Sequence, residues 1–178
     1  MSELGQLFDQ LKAFDRPPVD TWWPDKTIEF DLRIAVNGDW FHEGGIIPRP
    51  SLVKLFSTVL VFRGGHYFLV TPEVKYRINV EDAPFMGLEL NCRDLDQGQE
   101  IFIRTNMDEV VRLDSEHPLN VEIDSKTGEP SPYVEVRDGL RARLTRSVFY
   151  QLVDMCQPSV NGDQIHGVFS AGQFFPLH

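Results

Sequence analysis

The 178-residue sequence predicts an α+β protein in which two related small units each pack an antiparallel sheet with a helix. Three observations carry this. Short stretches rich in β-branched and aromatic residues recur along the chain, separated by pairs such as Asn37-Gly38 and Gly64-Gly65 that favour tight turns. Three other stretches space their apolar residues three and four apart, as core-facing helices do. Segments in the two halves also echo one another. Antiparallel sheet leaves one face for solvent and the other for a helix, which sets the class.

The first helix carries Leu4, Leu7, Phe8, Leu11 and Phe14, with Ser2 as its cap and Arg16-Pro17-Pro18 as its stop. Trp22-Trp23-Pro24 reads as a hydrophobic clasp. A strand over 28–36 turns at Asn37-Gly38 into a second at Trp40-Phe41. Leu52, Leu55, Phe56 and Val59 then mark a helix from Ser51 to Val59. Strands over 60–62 and 67–70 form a hairpin through Gly64-Gly65, and 75–80 and 85–91 are further strands. Arg93 to Gln99 reads as a polar turn, beyond which 100–105 pairs with 109–113. Strands over 120–123 and 133–136 flank a loop rich in Gly, Pro and Ser. The strand 140–144 leads into a helix with Val148, Phe149, Leu152, Val153 and Cys156, and an apolar tail closes the chain at 167–177. The expected organisation is a helix over 1–18, a first unit over 19–84 and a second over 85–178.

Seventeen basic residues against 27 acidic ones give a net charge of −10, which argues against binding long nucleic acid. The charge is uneven. Arg49, Lys54, Arg63, Lys75 and Arg77 face Glu73 alone between residues 49 and 77, a local +4 that suits a small anion. No apolar run approaches the roughly 20 residues that span a bilayer. The Met-Ser-Glu start lacks a signal-peptide pattern, so the expected location is the cytoplasm. Cys92 and Cys156 form neither a disulfide framework nor a zinc motif, and both read as part-buried. The five histidines show no ligand spacing, so neither metal nor cofactor is expected.

The echo has two parts. Ile47 to Phe56 aligns with Leu144 to Val153, matching Arg49 to Arg146 at the start of each helix, with a hairpin upstream of each. Thr71 to Pro84 aligns with Thr105 to Pro118. An arginine at a helix start opposes the helix dipole by a few tenths to about 1 kcal/mol. Either each arginine is held by a carboxylate, or each helix start with its arginine forms an anion pocket.

The strings G-D-W-F-H-E-G-G-I-I-P-R-P-S-L-V-K-L-F (38–56), L-V-T-P-E-V-K-Y-R-I-N-V-E-D-A-P-F (69–85), P-Y-V-E-V-R-D-G-L-R-A-R-L-T-R-S-V-F-Y (132–150) and G-V-F-S-A-G-Q-F-F-P-L (167–177) resemble an uncharacterised family of small proteobacterial proteins. The resemblance implies two related subdomains, the second similar to pleckstrin-homology-like folds. It further implies a ligand site in the cleft between them, a nucleotide-like ligand and a signalling role, with no enzymatic activity attached. By matched position, that site involves Trp40, His42, Arg49, Lys75 and Arg146. The family pattern sets a Glu directly before the lysine, where this chain has Val74, with Glu73 one residue earlier.

Three readings follow. In the first, the protein binds a small anionic, nucleotide-like ligand without catalysis, with Trp40 and Tyr76 either stacking on it or packing the core. In the second, His42 is a general base oriented by Glu43 or Asp39 in a hydrolase or transferase. No nucleophile motif supports that chemistry, because Ser170 lacks a nucleophile elbow: Val168 stands where Gly is required. In the third, the protein is an interaction module recruiting a protein partner through its acidic surface and strand edges.

Overall fold

The computed structural model describes residues 3–14, 17–162 and 164–178, so Ser2 and Arg16, assigned above to the ends of the first helix, lie outside the described residues. The chain divides into two units, Met1–Asp82 and Ala83–His178.

In the first unit, helix α1 (Glu3–Leu11) buries Leu7 and Leu11 and packs on α2 (Pro50–Ser57). Phe14 lies past the end of α1, edge-on to Trp22 at 5.0 Å, so the Trp22-Trp23 clasp holds the chain where the helix stops. The strands are β1 (Thr27–Ile34), β2 (Trp40–His42), β3 (Gly45–Ile46), β4 (Leu60–Arg63), β5 (His66–Val70) and β6 (Lys75–Val80). Phe30, Leu32 and Ile34 alternate inward along β1, the period-2 pattern of a half-buried strand. The short β3 was not expected, since two residues display no alternation. It exists because Glu43 and Gly44 take left-handed backbone (φ 49° and 77°) and fold the chain back onto β2.

The second unit has β7 (Phe85–Leu95), β8 (Gly98–Thr105), β9 (Val110–Arg112), β10 (Leu119–Ile123), β11 (Pro130–Arg137), β12 (Leu140–Leu144), α3 (Arg146–Asp154), β13 (Gln157–Pro158), β14 (His166–Ser170) and β15 (Gln173–Pro176). The expected polar turn at Arg93 to Gln99 is instead mostly strand. Facing pairs such as Arg93 and Glu100 continue the β7–β8 ribbon to a two-residue turn at Asp96-Gln97. Cys92, expected to be part-buried, is exposed on that ribbon, whereas Cys156 is half-buried.

The apolar tail forms the three-stranded sheet β13-β14-β15, which packs on β8. Ser170, fully buried, accepts the Ile101 backbone N–H at 2.9 Å, and the Gln99 side-chain amide donates to the Phe169 carbonyl at 2.9 Å. Ser170 is therefore a structural hydrogen-bond acceptor. Ser170→Ala orphans the Ile101 N–H and should destabilise the second unit by about 1–3 kcal/mol in denaturant unfolding. An unchanged midpoint would show that Ile101 finds another acceptor.

The two large sheets share one topology. Their orders are β3-β2-β1-β6-β5-β4 and β10-β11-β12-β7-β8-β9, each made of two three-stranded meanders joined by a parallel pairing of first and sixth strands. The duplication is thus real at the level of the sheet, though each sheet carries one parallel pair. The helices attach differently: α2 follows the third strand of its unit and α3 follows the sixth. Both sequence echoes consequently relate one meander of the first unit to the opposite meander of the second. Thr71 and Thr105 show this at a turn. Each is buried, and each hydroxyl accepts a turn N–H, from Val74 at 3.1 Å and from Met107 at 3.2 Å. A six-stranded sheet followed by a helix is consistent with a pleckstrin-homology-like second unit.

Candidate functional site

A cavity of about 370 Å³ lies within the first unit, where α1, the β2–β3 hairpin and the start of α2 meet. Leu4, Phe8, Ile46 and Leu52 supply apolar wall, and His42 and Arg49 supply polar groups. Two of the five expected site residues therefore share one cavity.

His42 ends β2 with its ring stacked on Phe30 at 5.1 Å. Its Nδ1 lies 2.8 Å from the Asp31 carbonyl oxygen, which can only accept, so Nδ1 carries the proton. In the neutral ring Nε2 then presents a lone pair. Neither expected carboxylate orients the ring. Asp39 takes the Asn37 side-chain amide at 2.7 Å, and the Glu43 carboxylate stands 3.9 Å from Nε2, beyond hydrogen-bond range.

Arg49 is the N-cap of α2 in extended backbone, and Pro50 begins the helix. Arg146 is the first helical residue of α3, because Thr145 takes the cap and accepts the Val148 N–H at 3.4 Å. The two arginines are thus offset by one position. Proline suits the first helical place because it has no N–H to orphan there. Among the described residues neither arginine makes an ion pair with a carboxylate. Among the described residues no side-chain hydrogen bond caps α2, and its first turn holds no acidic residue, so its start presents the positive end of the helix dipole.

The other expected residues sit elsewhere. Trp40 is 2 % exposed, deep in the core, and its carbonyl accepts the Ile47 N–H at 2.8 Å. Its indole N–H meets no acceptor among the described residues. Lys75 donates to the Pro24 carbonyl at 2.5 Å and lies over the Trp23 ring at 4.7 Å, with Arg63 over the same ring at 4.3 Å. Arg77 bonds His66 at 2.9 Å. Four of the five cations of the +4 stretch are therefore divided between the cavity, the Trp23 clasp and His66. Val74 is buried, which explains why no carboxylate precedes Lys75 here. Arg146 lies in the second unit, exposed at the start of α3. Leu4, Phe8 and the Asp31 carbonyl were not foreseen as site components. Nothing local marks them, since they meet His42 and Arg49 only through folding. Among the described residues, no three or more His, Cys, Asp or Glu side chains gather as a metal site, and no helix is long and apolar enough to cross a membrane.

Residues 17–83 match a family model described as domain of unknown function (DUF1285), N-terminal domain. Residues 84–177 match its companion, protein of unknown function (DUF1285), C-terminal domain. The chain is similar to a solved DUF1285 family protein from Silicibacter pomeroyi DSS-3, at 35 % identity and a TM-score of 0.86 over 96 % of this chain and 93 % of that one. It is also similar to a DUF1285 family protein from Shewanella baltica OS155, at 26 % identity and a TM-score of 0.54 over 70 % of this chain and 91 % of that one. No curated protein matches.

Proposed function

We propose a binding role for this chain, which belongs to the DUF1285 family: it holds a small anionic, nucleotide-like ligand in the cavity bounded by His42 and Arg49. The observation that carries this is the pairing of those two side chains with apolar walls at the uncapped start of α2. A guanidinium and a helix N-terminus both favour phosphate or carboxylate, and the His42 lone pair accepts from a ligand hydroxyl or N–H. About 370 Å³ suits a ligand of roughly mononucleotide size, near the lower end of the ~300–1,000 Å³ usual for ligand pockets. Function would lie in occupancy rather than turnover, as in cytoplasmic signal transduction.

A thermal-shift screen of nucleoside monophosphates and phosphorylated metabolites tests the proposal. A ligand present at 100 times its Kd should stabilise the fold by about 2.7 kcal/mol. Arg49→Ala should weaken binding ~10- to 100-fold, as loss of a charge-assisted hydrogen bond of about 1.5–3 kcal/mol predicts, and leave the unliganded melting temperature nearly unchanged. Absence of any stabilising anion, or equal stabilisation of Arg49→Ala, would defeat the reading.

A further inference from the structure

Strand β7 is eleven residues long, but β12 pairs with only its first three, Phe85, Met86 and Gly87. Along its other edge β7 pairs with β8 to the end of the ribbon. Residues 88–95 therefore present one long edge with no ladder partner among the described residues. Helix α3 packs against β7 yet leaves Leu88, Glu89 and the whole run 91–95 exposed. Proteins usually shorten, bulge or cover such an edge, because it is a template for another strand.

The ribbon closes on Leu95 and Gly98 across a two-residue turn, and the closing pair of such a hairpin exchanges its hydrogen bonds. Alternate residues Leu95, Arg93 and Asn91 thus bond inward to β8, and Asp94, Cys92 and Leu90 direct their N–H and C=O groups to the free edge.

We infer that β7 is a homodimer edge, pairing antiparallel with β7 of a second copy about a two-fold axis at Asn91. This register sets Leu90 against the partner's Cys92, so the outward-directed groups of both strands meet each other. On one face it sets Glu89 against the partner's Arg93. Glu89 already faces and pairs with Arg104, and Arg93 faces Glu100 at 3.9 Å. The row across four strands then reads Arg104, Glu89, the partner's Arg93, the partner's Glu100, with charges alternating throughout, and the two-fold repeats it. Opposite charges on facing strands are favourable and like charges are not. On the other face the row reads Ile103, Leu90, the partner's Cys92, the partner's Ile101, apolar throughout. Moving the axis to Cys92 sets Leu90 against the partner's Asp94 and breaks both rows. Among two-fold axes along residues 88–95, only the one at Asn91 sets opposite charges directly against each other, and this self-complementarity identifies a second copy as the occupant.

Cysteine cross-linking of the full chain tests both the dimer and the register. Only residue 91 faces itself across the axis, at the ~4.5 Å Cα separation of a non-hydrogen-bonded pair, within disulfide range. In a Cys92→Ser, Cys156→Ser background, Asn91→Cys should oxidise mainly to a covalent species of twice the 20.4 kDa chain mass. Glu89→Cys in that background, and Cys92 alone with Cys156→Ser, should stay largely uncross-linked. Sedimentation of the unmodified chain over a dilution series should show the same doubling. A chain that sediments as a monomer throughout, or that cross-links better through Cys92 than through Asn91→Cys, would overturn the inference.

Discussion

Gly167→Ala is expected to destabilise the second unit by about 3 kcal/mol, at the top of the range for overpacking. A Cβ at this position would lie 2.1 Å from the Phe175 carbonyl oxygen and 2.8 Å from its carbonyl carbon. Gly167 is the central residue of its sheet, facing Gln157 on one side and Pro176 on the other, so neither neighbour can withdraw without breaking a ladder. Thermal unfolding should register a drop of roughly 6–12 °C for a chain of this size. Gly87→Ala is the instructive comparison. Its Cβ meets the ends of Leu144 and Ile103 at 2.4 and 3.0 Å, side-chain atoms that can turn aside, so its effect should be smaller. Equal effects would mean that the β14–β15 pairing yields more easily than its hydrogen bonding suggests.

Trp40→Ala should destabilise the first unit by about 3–5 kcal/mol, the usual range for truncating a buried aromatic. Trp40 faces Ile34 across β1 and β2 and is almost wholly buried. Trp40→Phe should be much milder, on the order of 1 kcal/mol, because it retains an aromatic ring and orphans no acceptor among the described residues. Urea unfolding of both variants, read beside ligand-induced stabilisation, separates the two roles open to Trp40. A folded Trp40→Ala protein of nearly native midpoint but without ligand response would return this residue to the binding site.

Local chemistry made much of the fold legible in the sequence. Leu52, Leu55 and Phe56 mark α2 because a helix brings residues three and four apart onto one face. Gly64-Gly65 marks the β4–β5 turn because both residues adopt positive φ, at 60° and 79°. Two related units and the three α-helices among the described residues were readable from such periodicities, and the two-part family from the strings that resemble it. The far end of the β7–β8 ribbon is not legible in the same way, because its polar composition resembles a turn and Arg93 and Glu100 become mutually compatible only when they face each other.

For the candidate site, the sequence alone showed Trp40, His42, Glu43 and Arg49 gathered in one Gly-punctuated segment, of which His42 and Arg49 line the cavity. Tertiary structure decided what those residues have for neighbours. It brought Leu4 and Phe8 of α1 to the same cavity, tied His42 Nδ1 to the Asp31 carbonyl and sent Lys75 to Pro24 and Trp23. It also closed each sheet by a parallel pairing of strands far apart in the chain. The physical reason is the range of the forces involved. Turn and helix preferences act over a few residues and are written into short strings. A cavity wall, a tautomer or a sheet closure depends on side chains that meet only after hydrophobic burial has folded the chain.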